Sequence, residues 1–201
     1  MIRRCAAALL AVLTLAAGAC GSDGDGDAGP DASGGGRATS GGELIGPAGE
    51  GIEGVLAYRV ASNTHTEHDL TYDLTPPVGG EHFPVPATCG FYDSDVPPDE
   101  MLVHDLEHGG IWVAFDPDLD DAQIAALSQL VAQQAKVVAT PRDGLDSPVV
   151  VSAWARQLPL DRADDPRLQQ FIDMYRNSAN APEPQAACQG TGEPSVASPA
   201  A

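Results

Sequence analysis

All five histidines of this 201-residue chain, His65, His68, His82, His104 and His108, fall between positions 65 and 108. Neutral imidazole is the commonest protein ligand for transition metals, and a site needs several rings gathered by the fold. The clustering therefore points first to metal chemistry. His104-Asp105-Leu106-Glu107-His108 also has the letters of the inverted zinc-protease motif, His-x-x-Glu-His. On a helix its two histidines would face one ion, with Glu107 as general base. The context argues otherwise. Met101–His104 and Gly110–Phe115 are apolar runs that lean to strands, and Pro97-Pro98 with Gly109-Gly110 leave room for few helical turns. Glu107 reads more simply as a carboxylate orienting a histidine ring through its second nitrogen. The chain has no Ser/His/Asp order, glycine-rich phosphate loop or dinucleotide fingerprint.

The elements that must position these residues follow from the hydrophobic periodicity. Val55–Ala61 and the alternating Asp69–Leu74 read as strands. Pro76-Pro77-Val78-Gly79-Gly80 breaks the second and leads into Glu81-His82. Asp120–Ala135 is the clearest helix, with Ile124, Leu127, Leu130 and Val131 on one face and acidic residues in its first turn. Lys136–Thr140 and Pro148–Ala155 read as strands. Asp165-Pro166 caps a second helix whose buried stripe is Leu168, Phe171, Ile172 and Tyr175. This order predicts an α+β domain: a small mixed sheet, two packed helices, and a long histidine-bearing loop region before them.

The two ends read as separate from that domain. Arg3 and Arg4 precede an apolar run from Ala6 to Ala17, the pattern of an export signal over residues 1–19. It closes on Ala17-Gly18-Ala19-Cys20, which resembles a bacterial lipobox and makes Cys20 the expected site of lipidation, with palmitate or a similar chain on the new amine. Residues 20–42 are acidic and glycine-rich, read as a flexible tether and not as a calcium loop, because no Glu closes the spacing of Asp23, Asp25 and Asp27. Residues 189–201 read as a disordered tail, leaving a globular domain over 43–188. Outside the cytoplasm, the remaining thiols Cys89 and Cys188 are expected to pair. Their bridge would close a loop of about 100 residues, worth up to ~4.7 kcal/mol in the chain-entropy model. A net charge of -19, with 10 Lys+Arg against 29 Asp+Glu, excludes a nucleic-acid binder and adhesion to anionic lipid through a basic patch.

His104-Asp105-Leu106-Glu107-His108-Gly109, followed by an apolar strand, resembles the His-x-Leu-Glu-His-Gly block of the bacterial domain of unknown function 3105 family. Pro76-Pro77-Val78-Gly79-Gly80-Glu81-His82 is similar to that family's Pro-Pro-x-Ser-Gly-x-His, and Gly90-Phe91-Tyr92 to its Gly-x-Tyr. Ala153-Trp154 resembles its Ala-Trp strand, and Pro182-Glu183 with Cys188 its closing Pro-Glu…Cys. Two positions depart: Gly79 stands where Ser is usual, and Ala155 where Gly often follows the Trp. The resemblance implies a secreted or membrane-tethered domain with motif histidines His82, His104 and His108, and with His65 or His68 aligned to a further one.

The expectation is thus an extracytoplasmic lipoprotein, anchored in the membrane through Cys20, that holds copper or zinc for acquisition, buffering or delivery to a protein partner. The ligands would be His82, His104, His108 and His68, with His65 the alternative to His68 and Glu107 outside the shell. An imidazole set outside the cytoplasm favours copper over zinc. Met101, three residues before His104, is a possible soft ligand, though a core role fits it better. Two rival expectations are a metal-dependent hydrolase with Glu107 as base and a metal-free interaction module built on a buried hydrogen-bond network.

Overall fold

The structure, a computed structural model, describes residues 37–39 and 41–199. The expected export signal, the lipidation site Cys20 and most of the acidic tether lie outside the described residues. Strand β1 (Arg37–Thr39) pairs in parallel with β4 (Leu70–Tyr72) as a two-stranded sheet. The other strands are β2 (Glu43–Pro47), β3 (Leu56–Arg59), β5 (Gly90–Phe91), β6 (Ile111–Phe115), β7 (Val137–Pro141), β8 (Val149–Ala153), β9 (Arg156–Leu160) and β10 (Val196–Ala197). They form one mixed eight-stranded sheet in the order β10-β5-β7-β6-β8-β9-β3-β2. Three helices, α1 (Asp99–Glu107), α2 (Asp121–Val131) and α3 (Pro166–Tyr175), complete the described elements. The α+β class expected from the periodicity is the one observed.

Strand β6 is the pivot. It pairs in parallel with β7, through the α2 crossover, and antiparallel with β8. All five of its residues are buried, because both faces of the sheet are covered. Alternation along the strand divides the core. Ile111, Val113 and Phe115 join the cluster that holds Leu127 and Val131 of α2 and Leu168, Phe171, Ile172 and Tyr175 of α3. Trp112 and Ala114 join the opposite cluster, with Leu102, Val103 and Leu106 of α1 and Val138 of β7. Both longer helices start at aspartate caps, Asp120 accepting from the Gln123 N–H at 2.9 Å and Asp165 from the Arg167 N–H at 2.8 Å.

Four features differ from expectation. The Met101–His104 run is helix, not strand: it lies within α1, whose first turn carries Asp99 and Glu100 after Pro98. The carboxylates complement the helix dipole, and Leu102, Val103 and Leu106 supply the spacing of a buried helical face. A third helix therefore joins the two that were expected. Strand β9 was hidden by Pro159 and by a hairpin turn lacking the usual Asn or Gly. Ala153 pairs with Arg156 across Trp154-Ala155, and Ala155 takes a φ of 61°. That left-handed geometry is where a glycine fits without strain. Finally, the C-terminal segment contributes β10 to the sheet, so its residues up to 199 are part of the fold.

Candidate metal centre

Helix α1 fixes three of the candidate groups. With Leu102, Val103 and Leu106 committed to the core, His104, Glu107 and His108 fall at i, i+3 and i+4 on an adjoining face. The helix then stops where Gly109 adopts a φ of 77° and the Gly110 N–H reaches back to the Asp105 carbonyl at 2.8 Å. Two loops supply the remaining rings. They cross as a parallel bridge between His65 and His82, with the Thr66 N–H donating to the His82 carbonyl at 2.8 Å and the His82 N–H to that of Thr64 at 3.1 Å. The turn into His82 depends on Gly79, whose φ is 150° and where an added Cβ would lie 2.9 Å from both γ-carbons of Val60.

The rings and the carboxylate meet at one place. His65 and His104 stack with centroids 5.0 Å apart and planes 6° from parallel, and His82 stands edge-on to both at 4.9 and 5.0 Å. Glu107 Oε2 lies 3.0 Å from His82 Nε2 and 3.4 Å from His65 Nε2. Its Oε1 accepts from Asn63 Nδ2 at 3.0 Å. One donor atom from each of His65, His82, His104 and Glu107 forms a set lying within 4.8 Å of one another. Ligands of one ion stand roughly 3–4 Å apart at usual bond lengths, so the set is near enough to close on one. His108 adjoins this set through His104, the two Nε2 atoms being 2.9 Å apart.

The second nitrogens of three of these rings are all engaged by backbone. His82 Nδ1 donates to the Gly80 carbonyl at 2.8 Å, His104 Nδ1 to that of Phe83 at 2.6 Å, and His108 Nδ1 to that of Ala187 at 2.6 Å. A carbonyl can only accept, so each ring carries its proton on Nδ1 and, when neutral, a bare lone pair on Nε2. Those Nε2 atoms are what face Glu107 and each other. Burial is the main cause holding the His104 imidazole below its ordinary value, joined by His108 and His82 and opposed by the Phe83 bond and Glu107. Burial pushes the Glu107 carboxyl up, but Asn63, His82 and His65 together outweigh it and hold it below the usual range. The centre thus sets an ionised carboxylate among imidazole Nε2 atoms.

Sequence expectation and structure part at several residues. His65, not His68, joins the cluster; His68 is exposed and its backbone N–H bonds to Thr66 Oγ1. Glu107 was expected to orient a ring through its second nitrogen, yet the backbone carbonyls do that work and the carboxylate sits among the Nε2 atoms. His82, His104 and His108 were expected as one mutual set; His104 instead links His82 on one side to His108 on the other. Met101 Sδ accepts from Thr191 Oγ1 at 3.3 Å and lines an apolar groove with Phe83 and Val85, outside the cluster.

Residues that sequence reasoning passed over include Asn63, for which no signal existed, and Lys136. As the sole lysine of the chain, Lys136 was visible as an oddity. It is buried, and its Nζ donates to the carbonyls of His108 and Pro184, each at 3.0 Å, and to Asn177 Oδ1 at 2.7 Å. This clamp ties the C-terminal end of α1 to the strap that brings Ala187 to His108.

On the other side of α1, Cys89 and Cys188 are joined as expected, with Cα atoms 5.6 Å apart. Asp105 faces them: its Oδ1 lies 3.2 Å from Cys188 Sγ, and its Oδ2 has no partner. Cys89, Asp105 and Cys188 also lie within 4.8 Å of one another, but the sulfurs are bonded together and offer no thiolate.

The profile of the family described as protein of unknown function (DUF3105) matches residues 64–190, a span that contains every residue of the centre but Asn63. No curated protein and no solved structure matches the chain.

Proposed function

From the premise that the chain belongs to the DUF3105 family, we propose that it binds a transition-metal ion through His65, His82, His104 and Glu107, with His108 as the adjoining ligand. The observation that carries this reading is the pinning of three Nδ1 atoms to backbone carbonyls. It turns the Nε2 atoms of His104 and His108 toward each other at 2.9 Å, and that of His82 toward a carboxylate at 3.0 Å. When the rings are neutral these atoms are acceptors aimed at acceptors, and a cation, a proton or a metal ion, must lie between them. Metal-binding histidines characteristically donate their second nitrogen in this way, which fixes tautomer and ring orientation.

Copper(II) is the favoured ion and zinc the second. Imidazole with one carboxylate suits both. Copper is placed first because divalent affinity peaks at copper in the first-row series. We further propose that the centre belongs to a lipid-anchored extracytoplasmic protein, on the strength of Arg3-Arg4, the apolar run and Cys20. Its role there is metal acquisition, buffering or delivery to a protein partner.

A hydrolase is the second reading, favoured by one observation: the His-x-x-Glu-His segment is helical through Glu107, with His108 at the C-cap. Against it, Asn63, His82 and His65 occupy both oxygens of Glu107, whereas a base needs one oxygen turned to a metal-bound water. Isothermal titration of Cu(II) and Zn(II) into the metal-stripped protein tests both. One tight equivalent supports the proposal; no binding above background removes it and leaves the metal-free interaction module.

A further inference from the structure

We propose that His65 is the exchange ligand of this centre: the ion enters and leaves there, and a partner protein takes it by putting an imidazole or thioether of its own in the place of His65. The inference rests on the metal-binding reading above and concerns the route, not the existence, of binding.

The four rings are not equivalent. His82 and His104 are buried, and the His108 side chain is 12% exposed; each is locked through Nδ1 to a backbone carbonyl. The His65 side chain is 47% exposed. It is held by Nε2 near Glu107, by stacking on His104 and by the edge of His82, with no backbone bond to its ring among the described residues. Releasing a locked ring breaks a buried hydrogen bond and opens the core. Swinging His65 outward breaks neither. The ring that costs least to displace is therefore the outermost one.

The surface beside it has room for the incoming group. A cleft of about 250 Å³ is lined by Val60, Ser62, Asn63, Trp154 and Pro182. Asn63 is the residue whose amide holds Glu107, and the Trp154 ring stands 6.1 Å from that of His82. A donor side chain entering over Asn63 would approach the ion next to His65. The exchange is a ligand replacement: one metal–nitrogen bond breaks as another metal–donor bond forms, with no change of oxidation state and no proton moved between neutral ligands. The chain's net charge of -19 suits a partner with a basic docking face.

The test uses the full chain loaded with one equivalent of Cu(II), with EDTA as acceptor and stopped-flow detection. His65→Ala should keep its copper at equilibrium but yield it roughly tenfold faster or more, a loss of the size that a displaced supporting group produces. Free imidazole should fill the vacant position, slow extraction toward the wild-type rate and restore the wild-type paramagnetic resonance spectrum. His82→Ala should lose copper outright, and imidazole should not restore it. His65→Gln, with circular dichroism, separates an exchange defect from a folding one. Extraction from folded His65→Ala or His65→Gln at the wild-type rate overturns the proposal, as does equal imidazole rescue of His82→Ala. Wild type that binds no Cu(II) overturns the metal-binding reading itself.

Discussion

Asp105 and Glu107 sit two residues apart on α1, both buried, and face opposite surroundings. Glu107 has an amide and two imidazoles on its oxygens, which together hold it ionised against the cost of burial. Asp105 faces a disulfide, one of its oxygens has no partner, and burial drives its carboxyl well above the usual range, against a single backbone bond from Ala87. The same side-chain chemistry on one helix is thus kept charged on one side and neutral on the other. A buried carboxylate ringed by nitrogen donors is arranged for a cation, whereas one kept neutral against sulfur is a structural filler with a stability penalty at high pH. The two sides also respond oppositely to pH. The Glu107 contribution is present above the ordinary Glu value of 4.5 and is lost as the pH falls. The Asp105 contribution is complete below the ordinary Asp value of 3.8 and is lost as the pH rises.

The comparison is broken most forcefully at the bridge. Replacing Cys89 and Cys188 by alanine should cost about 2–5 kcal/mol of stability, read by thermal or denaturant unfolding. The folded fraction should still bind Cu(II), because the Glu107 side does not include the sulfurs; lost binding in folded protein would show that the two sides are one unit. Next, Glu107→Gln should lower Cu(II) affinity by more than the roughly 10- to 100-fold typical of an outer partner, since the carboxylate oxygen lies in the donor set. A smaller drop by titration calorimetry places Glu107 outside the shell, and intact affinity with lost turnover would favour the hydrolase. Asp105→Asn should gain stability relative to wild type, by about 1–3 kcal/mol, as the pH rises from about 4 to about 8. Parallel melting-temperature profiles for the two proteins would refute a neutral buried Asp105. The smallest effect belongs to His68→Ala, which should leave Cu(II) affinity within about twofold, as expected of an exposed residue away from the donors.

Much of this was legible in the sequence. Periodicity exposed α2, α3 and the core strands, because Leu127, Val131, Leu168, Phe171, Ile172 and Tyr175 recur at helical spacing and Ile111–Phe115 is unbroken apolar. Clustering of the histidines marked the region of the centre. Local pattern failed at α1, where Met101-Leu102-Val103 carries β-branched and apolar residues that fit either state, and only packing against Trp112 decides between them. The choice of His65 over His68 was likewise invisible. Three residues apart in a polar loop, they differ only in which one the bridge to His82 turns inward. Asn63 and Ala187 act through positions set entirely by tertiary structure, one through its amide and the other through a backbone carbonyl that any residue possesses.

The bridge that crosses residues 64–66 with residue 82 has a consequence for when the centre comes into being. Its donors come from two loops and a helix, and the Ala187 carbonyl that locks His108 lies 79 residues further along the chain. His104 lies on a nine-residue helix and His108 caps its end, but a helix that short does not persist in an unfolded chain. An unfolded chain therefore carries five separate imidazoles and no site. On the proposed metal-binding reading, selection of the ion falls to the compartment in which the chain folds.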